Sequence, residues 1–166
     1  MLRSVFFSFV LLLGLTGSLS ANSYPAAYRL PDTLRVVQGS AFVVPVTFST
    51  EEGWYLYAPT GVNASQGMIE TNVICLPPKG IVRSGKPVVP EPHFKGGFEV
   101  YEGKDICFKQ AFQADKDLEP GSYAIKVKVT YQACGNEVCM PPVTEERVVT
   151  VMVGRRDCCG KERVKQ

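Results

Sequence analysis

Helical periodicity is the first thing this sequence lacks. No segment of its 166 residues repeats apolar positions at the 3.6-residue period, and neither an internal repeat nor a Gly-rich phosphate loop occurs. Helical bundles, repeat arrays and P-loop nucleotide enzymes are therefore disfavoured. An excess of one charge is missing too: 18 Lys and Arg stand against 16 Asp and Glu, a net +2. That balance argues against nucleic acid or an anionic membrane surface as the main partner. There is a single histidine, His93, and a single tryptophan, Trp54. Six cysteines are present, yet none shows the Cys-x-x-Cys spacing that places two sulfurs at one end of a first helical turn.

The one long apolar run, Val5 to Leu15, follows Arg3 and precedes Ser18 and Ser20, small residues that fit a cleavage site before Ala21. Residues 1–20 read as a secretory signal peptide, the run being short for a membrane span. An uncleaved anchor is the alternative. Cleavage leaves 146 residues with a net charge of +1, enough for one domain with a sizeable core, expected over 21–154 with a charged tail over 155–166. Export permits oxidation of Cys75, Cys107, Cys134, Cys139, Cys158 and Cys159.

Strand signals fill the rest. Arg35 to Val37 and Ala41 to Phe48 are β-rich, with Gly39 and Ser40 between them and Pro45 marking an edge or a bulge. Trp54 to Tyr57 is aromatic, and an early-strand Trp is expected in the core. Asn63, Ala64 and Ser65 form a weak N-glycosylation sequon. Thr71 to Leu76 is a strand, and Lys79 to Gly97 reads as a long, Pro- and Gly-rich connection carrying His93, taken as a solvated loop residue, and Phe94. Phe98 to Tyr101 and Ile106 to Gln113 resume strand character. The clearest alternation follows: Tyr123, Ile125, Val127, Val129 and Tyr131 apolar, with Lys126, Lys128, Thr130 and Gln132 between them. Val143 to Val153 is the return strand. About eight short strands at turn-punctuated intervals predict an all-β, immunoglobulin-like antiparallel β-sandwich. Cys75 and Cys107, on separate strands, either form a structural disulfide or stay as free thiols, and vicinal Cys158 and Cys159 can form a ring, bind metal or stay reduced.

Chemistry concentrates in Tyr131 to Pro142, YQACGNEVCMPP. Gly135 and Asn136 favour a tight reversal, so Cys134 and Cys139 face one another across the base of a small hairpin loop, within disulfide range. A bridge closing so short a loop adds roughly 2 kcal/mol, against roughly 4 kcal/mol for a loop of some thirty residues. It suits reversible oxidation better than stapling, although a structural clip stays open. Continuing the strand period points Ala133 inward and Cys134 to the wet side, with an accessible sulfur. No Lys or His flanks the pair, and Glu137 would raise a nearby thiol pKa.

Val129 to Pro142, with GWYLYAP from Gly53 to Pro59 and HFKGGFEVYEG from His93 to Gly103, resembles the N-terminal periplasmic domain of the thiol:disulfide interchange protein DsbD over most of the mature chain. The resemblance implies an immunoglobulin-like fold in the periplasm and a redox pair, Cys134 and Cys139. That pair relays electrons from a membrane-embedded thiol reductase to thioredoxin-like periplasmic proteins. It further implies that Cys139 forms the mixed disulfide, that Cys134 resolves it, and that Phe94 lies on a loop covering the pair. No cofactor is expected, and the chain is read as a monomer. The loop between the cysteines is one residue shorter than in the best-known members. Four cysteines have no counterpart, and neither a membrane nor a thioredoxin-like domain follows within these residues, so donor and acceptor are expected to be separate proteins. A noncatalytic interaction module with a clipped hairpin is the alternative, and a zinc site using cysteines and His93 comes third, its spacing matching no common ligand pattern.

Overall fold

The computed structural model describes residues 24–156. The signal peptide and the tail pair Cys158 and Cys159 lie outside the described residues. Within them, the longest ladder joins β10 (Gly121–Tyr131) to β12 (Val143–Gly154) in antiparallel register from Gly121 opposite Val153 to Tyr131 opposite Val143. The alternation read from sequence holds here: Ile125, Val127, Val129 and Tyr131 are buried and oppose the β12 strand that buries Val149, Val151 and Val153. β5 (Asn72–Leu76) flanks β10, and β2 (Thr33–Val37) lies parallel to β12, giving the order β2-β12-β10-β5.

A second sheet covers the apolar face of the first. It comprises β1 (Ala26–Arg29), β3 (Ala41–Thr50), β9 (Ile106–Ala114) and β6 (Ile81–Arg83), in the order β1-β3-β9-β6. Val44, Val46, Phe48, Phe108 and Phe112 point inward from it. Phe48 meets Tyr28, Phe108 and Tyr131 with ring centroids 5.4–5.7 Å apart, distances at which edge and tilted aromatic pairs attract. Pro45 sits on β3 beyond the last β1 pair, Arg29 with Thr47, so the strand is locally an edge where the ring removes a donor. The result is an all-β, immunoglobulin-like sandwich, antiparallel apart from the β2 and β12 pair.

A third, smaller sheet closes one end: β11 (Ala133–Cys134), β4 (Tyr55–Tyr57), β8 (Phe98–Glu102) and β7 (His93–Lys95), in that order. Part of the expected long connection is thus strand. β6 and β7 are three residues each and are defined by their neighbours rather than by their own pattern. A two-residue turn joins β7 to β8, and its Gly96 (φ 59°) and Gly97 (φ 88°) supply the positive φ angles that such a hairpin demands.

Two sequence expectations are corrected, and an alternative left open is decided. Asn63, in the one-turn α1 (Val62–Ser65), is fully buried; its Nδ2 donates to the carbonyls of Ala58 (2.9 Å) and Glu99 (2.7 Å), and its Oδ1 accepts from the Glu99 amide (3.2 Å). It is a structural tie between the β4 exit and β8, not a glycan acceptor. Cys75 and Cys107 are free thiols. Cys75 faces the core opposite Val127, whereas Cys107 points to the outer face of its sheet opposite Thr47, so the two sulfurs lie on different sides of a sheet. Trp54 is half-buried just ahead of β4 and packs against the margin of the core.

Replacing Asn63 by Ala leaves the Glu99 amide without its partner in the interior and takes a second donor from the Ala58 and Glu99 carbonyls, which keep the Thr60 and Ala58 amides. Urea denaturation is expected to show a loss of about 2–3 kcal/mol, several times that of an exposed Asn→Ala change. Alkali gives a second test. Burial pushes the Cys75 thiol up to about 11 and the Tyr28, Tyr57, Tyr101 and Tyr131 hydroxyls up to about 12. The unfolded chain therefore releases these protons first, so stability is fully present below about pH 9 and falls as the pH climbs toward 12. Urea midpoints that stay level from pH 8 to pH 11 would contradict this.

Candidate redox site

Between Tyr131 and Ala133 the chain leaves one sheet and joins another. Tyr131 still pairs with Val143 on β12, but Ala133 pairs with Leu56 and Cys134 with Tyr55 on β4. This transfer breaks the alternation and corrects the expected wet placement of Cys134, because the small sheet covers the side that the β10 period leaves open. Ala133 joins the main core, and Cys134 is buried in a cluster with Tyr57 and Val100, edged by Tyr55, Met68 and Phe98.

Cys139 is exposed and bonded to Cys134. Their Cα atoms are 4.0 Å apart and they form an isolated antiparallel bridge, so the pairing expected across the loop base is present. The geometry divides the pair into one residue buried in an apolar cluster and one exposed to solvent. Only the second can meet an incoming thiolate without the fold opening.

The loop has supports other than the sulfur bond. The Gly135 amide donates to the Val138 carbonyl (2.8 Å) and the Met140 amide to the Ala133 carbonyl (2.9 Å). Gln132 Nε2 donates to the Met140 carbonyl (2.9 Å). Tyr24 joins both arms, its hydroxyl accepting from the Ala133 amide (2.9 Å) and donating to the Pro141 carbonyl (3.0 Å). The Tyr55 hydroxyl donates to the Gly135 carbonyl (3.2 Å). Among the described residues no ion pair involves residues 134–139.

The β7–β8 hairpin flanks this arrangement. His93 Nε2 lies 2.8 Å from Glu102 Oε2, Lys95 also binds the Glu102 carboxylate, and the Lys95 ammonium stands 5.0 Å from the Tyr55 ring centroid. The Lys95 hydrogen bond holds the Glu102 carboxyl below its usual range, with burial opposing and His93 assisting. His93 is exposed as expected, but on a strand and engaged by Glu102. Phe94 opposes Glu99 on β7 with 75% of its surface exposed, and it belongs to neither apolar cluster. The apolar cover of Cys134 comes instead from Tyr57 and Val100. Sequence reading passed over these two and Tyr24; the alternating aromatics of Tyr55 to Tyr57 were the only local signal, since nothing near Tyr24 indicates a contact more than a hundred residues away.

Residues 29–150 match the family described as "Thiol:disulfide interchange protein DsbD, N-terminal". The chain belongs to this family, and thiol-disulfide exchange is its family-level function. Among solved structures, the reduced DsbD N-terminal domain of Neisseria meningitidis is 22% identical, with 68% of this chain and 77% of that one covered and a TM-score of 0.39. The complex between the DsbD N-terminal and PilB N-terminal domains of the same organism contains a chain 22% identical, covering 80% and 88%, with a TM-score of 0.42. The seventh ScaB type I cohesin of Pseudobacteroides cellulosolvens is 9% identical, covering 85% and 99%, with a TM-score of 0.48. No curated protein matches the sequence.

The unequal burial predicts unequal thiol chemistry. After mild reduction, iodoacetamide at pH 8 is expected to modify Cys139 at least about tenfold faster than Cys134, while Cys75, with its pKa near 11, stays essentially unmodified. Peptide mass spectrometry over a time course reads all three. Equal rates at Cys134 and Cys139 would remove the basis for assigning them different roles.

Proposed function

We propose that this chain, as a member of the DsbD N-terminal family, is an exported thiol-disulfide exchange protein that relays reducing equivalents through Cys134 and Cys139. The observation that carries the reading is the division of one disulfide between a buried and an exposed sulfur. The donor is a membrane-embedded thiol reductase and the acceptors are thioredoxin-like proteins of the periplasm. Among the described residues no helix is long and apolar enough to cross a membrane, so electrons from the membrane must arrive through a separate polypeptide or segment.

Each half-cycle is a pair of exchanges. A donor thiolate attacks the Cys139 sulfur, the S–S bond breaks, and Cys134 leaves as the thiolate. The donor's second thiolate then displaces Cys139, leaving the donor oxidised and this pair as two thiols, a gain of two electrons and two protons. In the second half-cycle the Cys139 thiolate attacks an acceptor disulfide and forms a mixed disulfide. Cys134, held beside it by the bridge pairing of the loop base, attacks Cys139, reforms the intramolecular bond and releases the reduced acceptor.

The backbone and side-chain bonds around the loop favour this reading over the structural clip. Residues 132–141 are tied by Tyr24, Gln132, Tyr55 and the loop amides, so the fold does not depend on a bond that contributes only about 2 kcal/mol of loop-closure entropy. Phe94 is assigned the cover of the exposed sulfur between encounters. With its ring 75% exposed here, that role requires the β7–β8 hairpin to close further over Cys139.

The test is covalent trapping. Cys134→Ala, incubated with an oxidised thioredoxin-fold acceptor, is expected to accumulate a dithiothreitol-sensitive adduct through Cys139, whereas Cys139→Ala accumulates none. An adduct formed equally through Cys134 would reverse the assignment. Absence of any adduct, with the oxidised pair resisting millimolar dithiothreitol until the fold is lost, would favour the clip.

A further inference from the structure

One row of the small sheet runs from the buried cysteine to an ionic cluster. Cys134 on β11 stands directly opposite Tyr55 on β4, and Tyr55 directly opposite Glu102 on β8. Residues opposed in this way project from the same face of a sheet. The apolar cluster of Cys134, Tyr57 and Val100, edged by Tyr55 and Phe98, lies on that face. His93 and Lys95 reach it from the edge strand β7: His93 Nε2 lies 2.8 Å from one Glu102 oxygen, and Lys95 binds the other. Lys95 also stands over Tyr55, its ammonium 5.0 Å from the ring centroid. The cluster therefore turns its cation toward the ring that borders Cys134. No Lys or His is close to the two cysteines in sequence, yet the sheet brings a cation to within one aromatic ring of the buried one.

Burial creates the need for such a charge. When a donor thiolate attacks Cys139, the electrons of the S–S bond pass to Cys134, which leaves as a thiolate inside an apolar cluster. That setting disfavours the charge, and exchange slows as the pKa of the leaving thiol rises. The Lys95 side chain is one-third exposed, so water screens its field only in part. The Glu102 carboxyl, held below its usual range by the Lys95 hydrogen bond with burial opposing and His93 assisting, is ionised at neutral pH and contributes a field of the opposite sign.

We propose that the Lys95 ammonium stabilises the Cys134 thiolate as it leaves, and that Glu102 holds Lys95 over Tyr55 while tempering its field. Lys95 acts across the Tyr55 ring, as an electrostatic support rather than a catalytic residue. The inference rests on the redox reading of the pair.

Reduction of the full oxidised chain by dithiothreitol at pH 7, quenched at intervals with N-ethylmaleimide and read by mass spectrometry, tests it. At low salt Lys95→Met is expected to be reduced about three- to fivefold more slowly, and Lys95→Arg, which keeps the charge, to return to within about twofold of the parent rate. Glu102→Gln is expected to be reduced faster, by about twofold. Roughly 0.5 M salt shrinks both differences. Lys116→Met, in the connection before β10 and so at the far end of that 11-residue strand from Tyr131, is expected to leave the rate unchanged. The signs separate field from fold. An ion pair that merely braced the hairpin would be broken by either variant, so Lys95→Met and Glu102→Gln would then shift the rate in the same direction. Shifts of one sign, an unchanged rate in Lys95→Met, no recovery in Lys95→Arg, or an equal effect of Lys116→Met overturns the proposal. A parent pair that dithiothreitol cannot open in the folded chain overturns the redox reading and this inference with it, whereas ready reduction at one rate in every variant overturns this inference alone.

Discussion

The ladder between β10 and β12 and its abrupt end at Tyr131 govern everything around the Cys134–Cys139 disulfide. Eleven consecutive residues of β10 are in register with β12, from Gly121 to Tyr131, so the point where the chain leaves that sheet is set to within a residue. A one-residue slip in such a ladder would turn every side chain to the other face, exposing Ile125, Val127 and Val129. Core burial therefore fixes the position of Gln132, and Gln132 fixes where Ala133 and Cys134 enter the small sheet. The depth of the Cys134 sulfur follows from hydrophobic packing some distance away.

From that constraint comes the unequal burial of the two cysteines. Tyr57 and Val100 enclose Cys134, while three polar or small residues and an exposed valine carry the chain around to Cys139 in solvent. An apolar setting disfavours a thiolate, and an exposed one does not. The pair thus has one cysteine open to solvent and another enclosed by apolar side chains. Tyr24 and Tyr55 add rigidity where exchange would otherwise loosen the chain, because their hydroxyls hold backbone on both sides of the bridge. The His93, Lys95 and Glu102 cluster serves the adjacent hairpin, keeping β7 on β8 and Lys95 over the ring of Tyr55.

The sandwich and the pairing of Cys134 with Cys139 were legible because they are written locally. Alternation from Tyr123 to Tyr131 is strict, Val149 to Val153 repeats it, and the two cysteines bracket a turn. What escaped depends on contacts that no local pattern encodes. Cys134 looked wet because a period of two knows nothing of a second sheet. β6 and β7 hid in a stretch rich in proline and glycine because three residues on a neighbour's edge need no pattern of their own. Asn63 carried the outward appearance of a sequon while its amide was committed to Ala58 and Glu99. The choice between a bridge and free thiols at Cys75 and Cys107 stayed open for a related reason: two strands can be near in space and still present their thiols to opposite faces.

The central claim is that the bond between Cys134 and Cys139 can open and close while the sandwich stays folded. Amide NMR across a graded series of glutathione buffers measures this directly, reporting the pair's redox state and the integrity of every strand in one sample. The account predicts a reversible two-state exchange whose shifts are concentrated at residues 132–141 and their contacts on β4 and β8, with the β10, β12, β3 and β9 resonances unmoved. Reduction accompanied by loss of those strand resonances would contradict it, as would a pair that stays oxidised across the whole series.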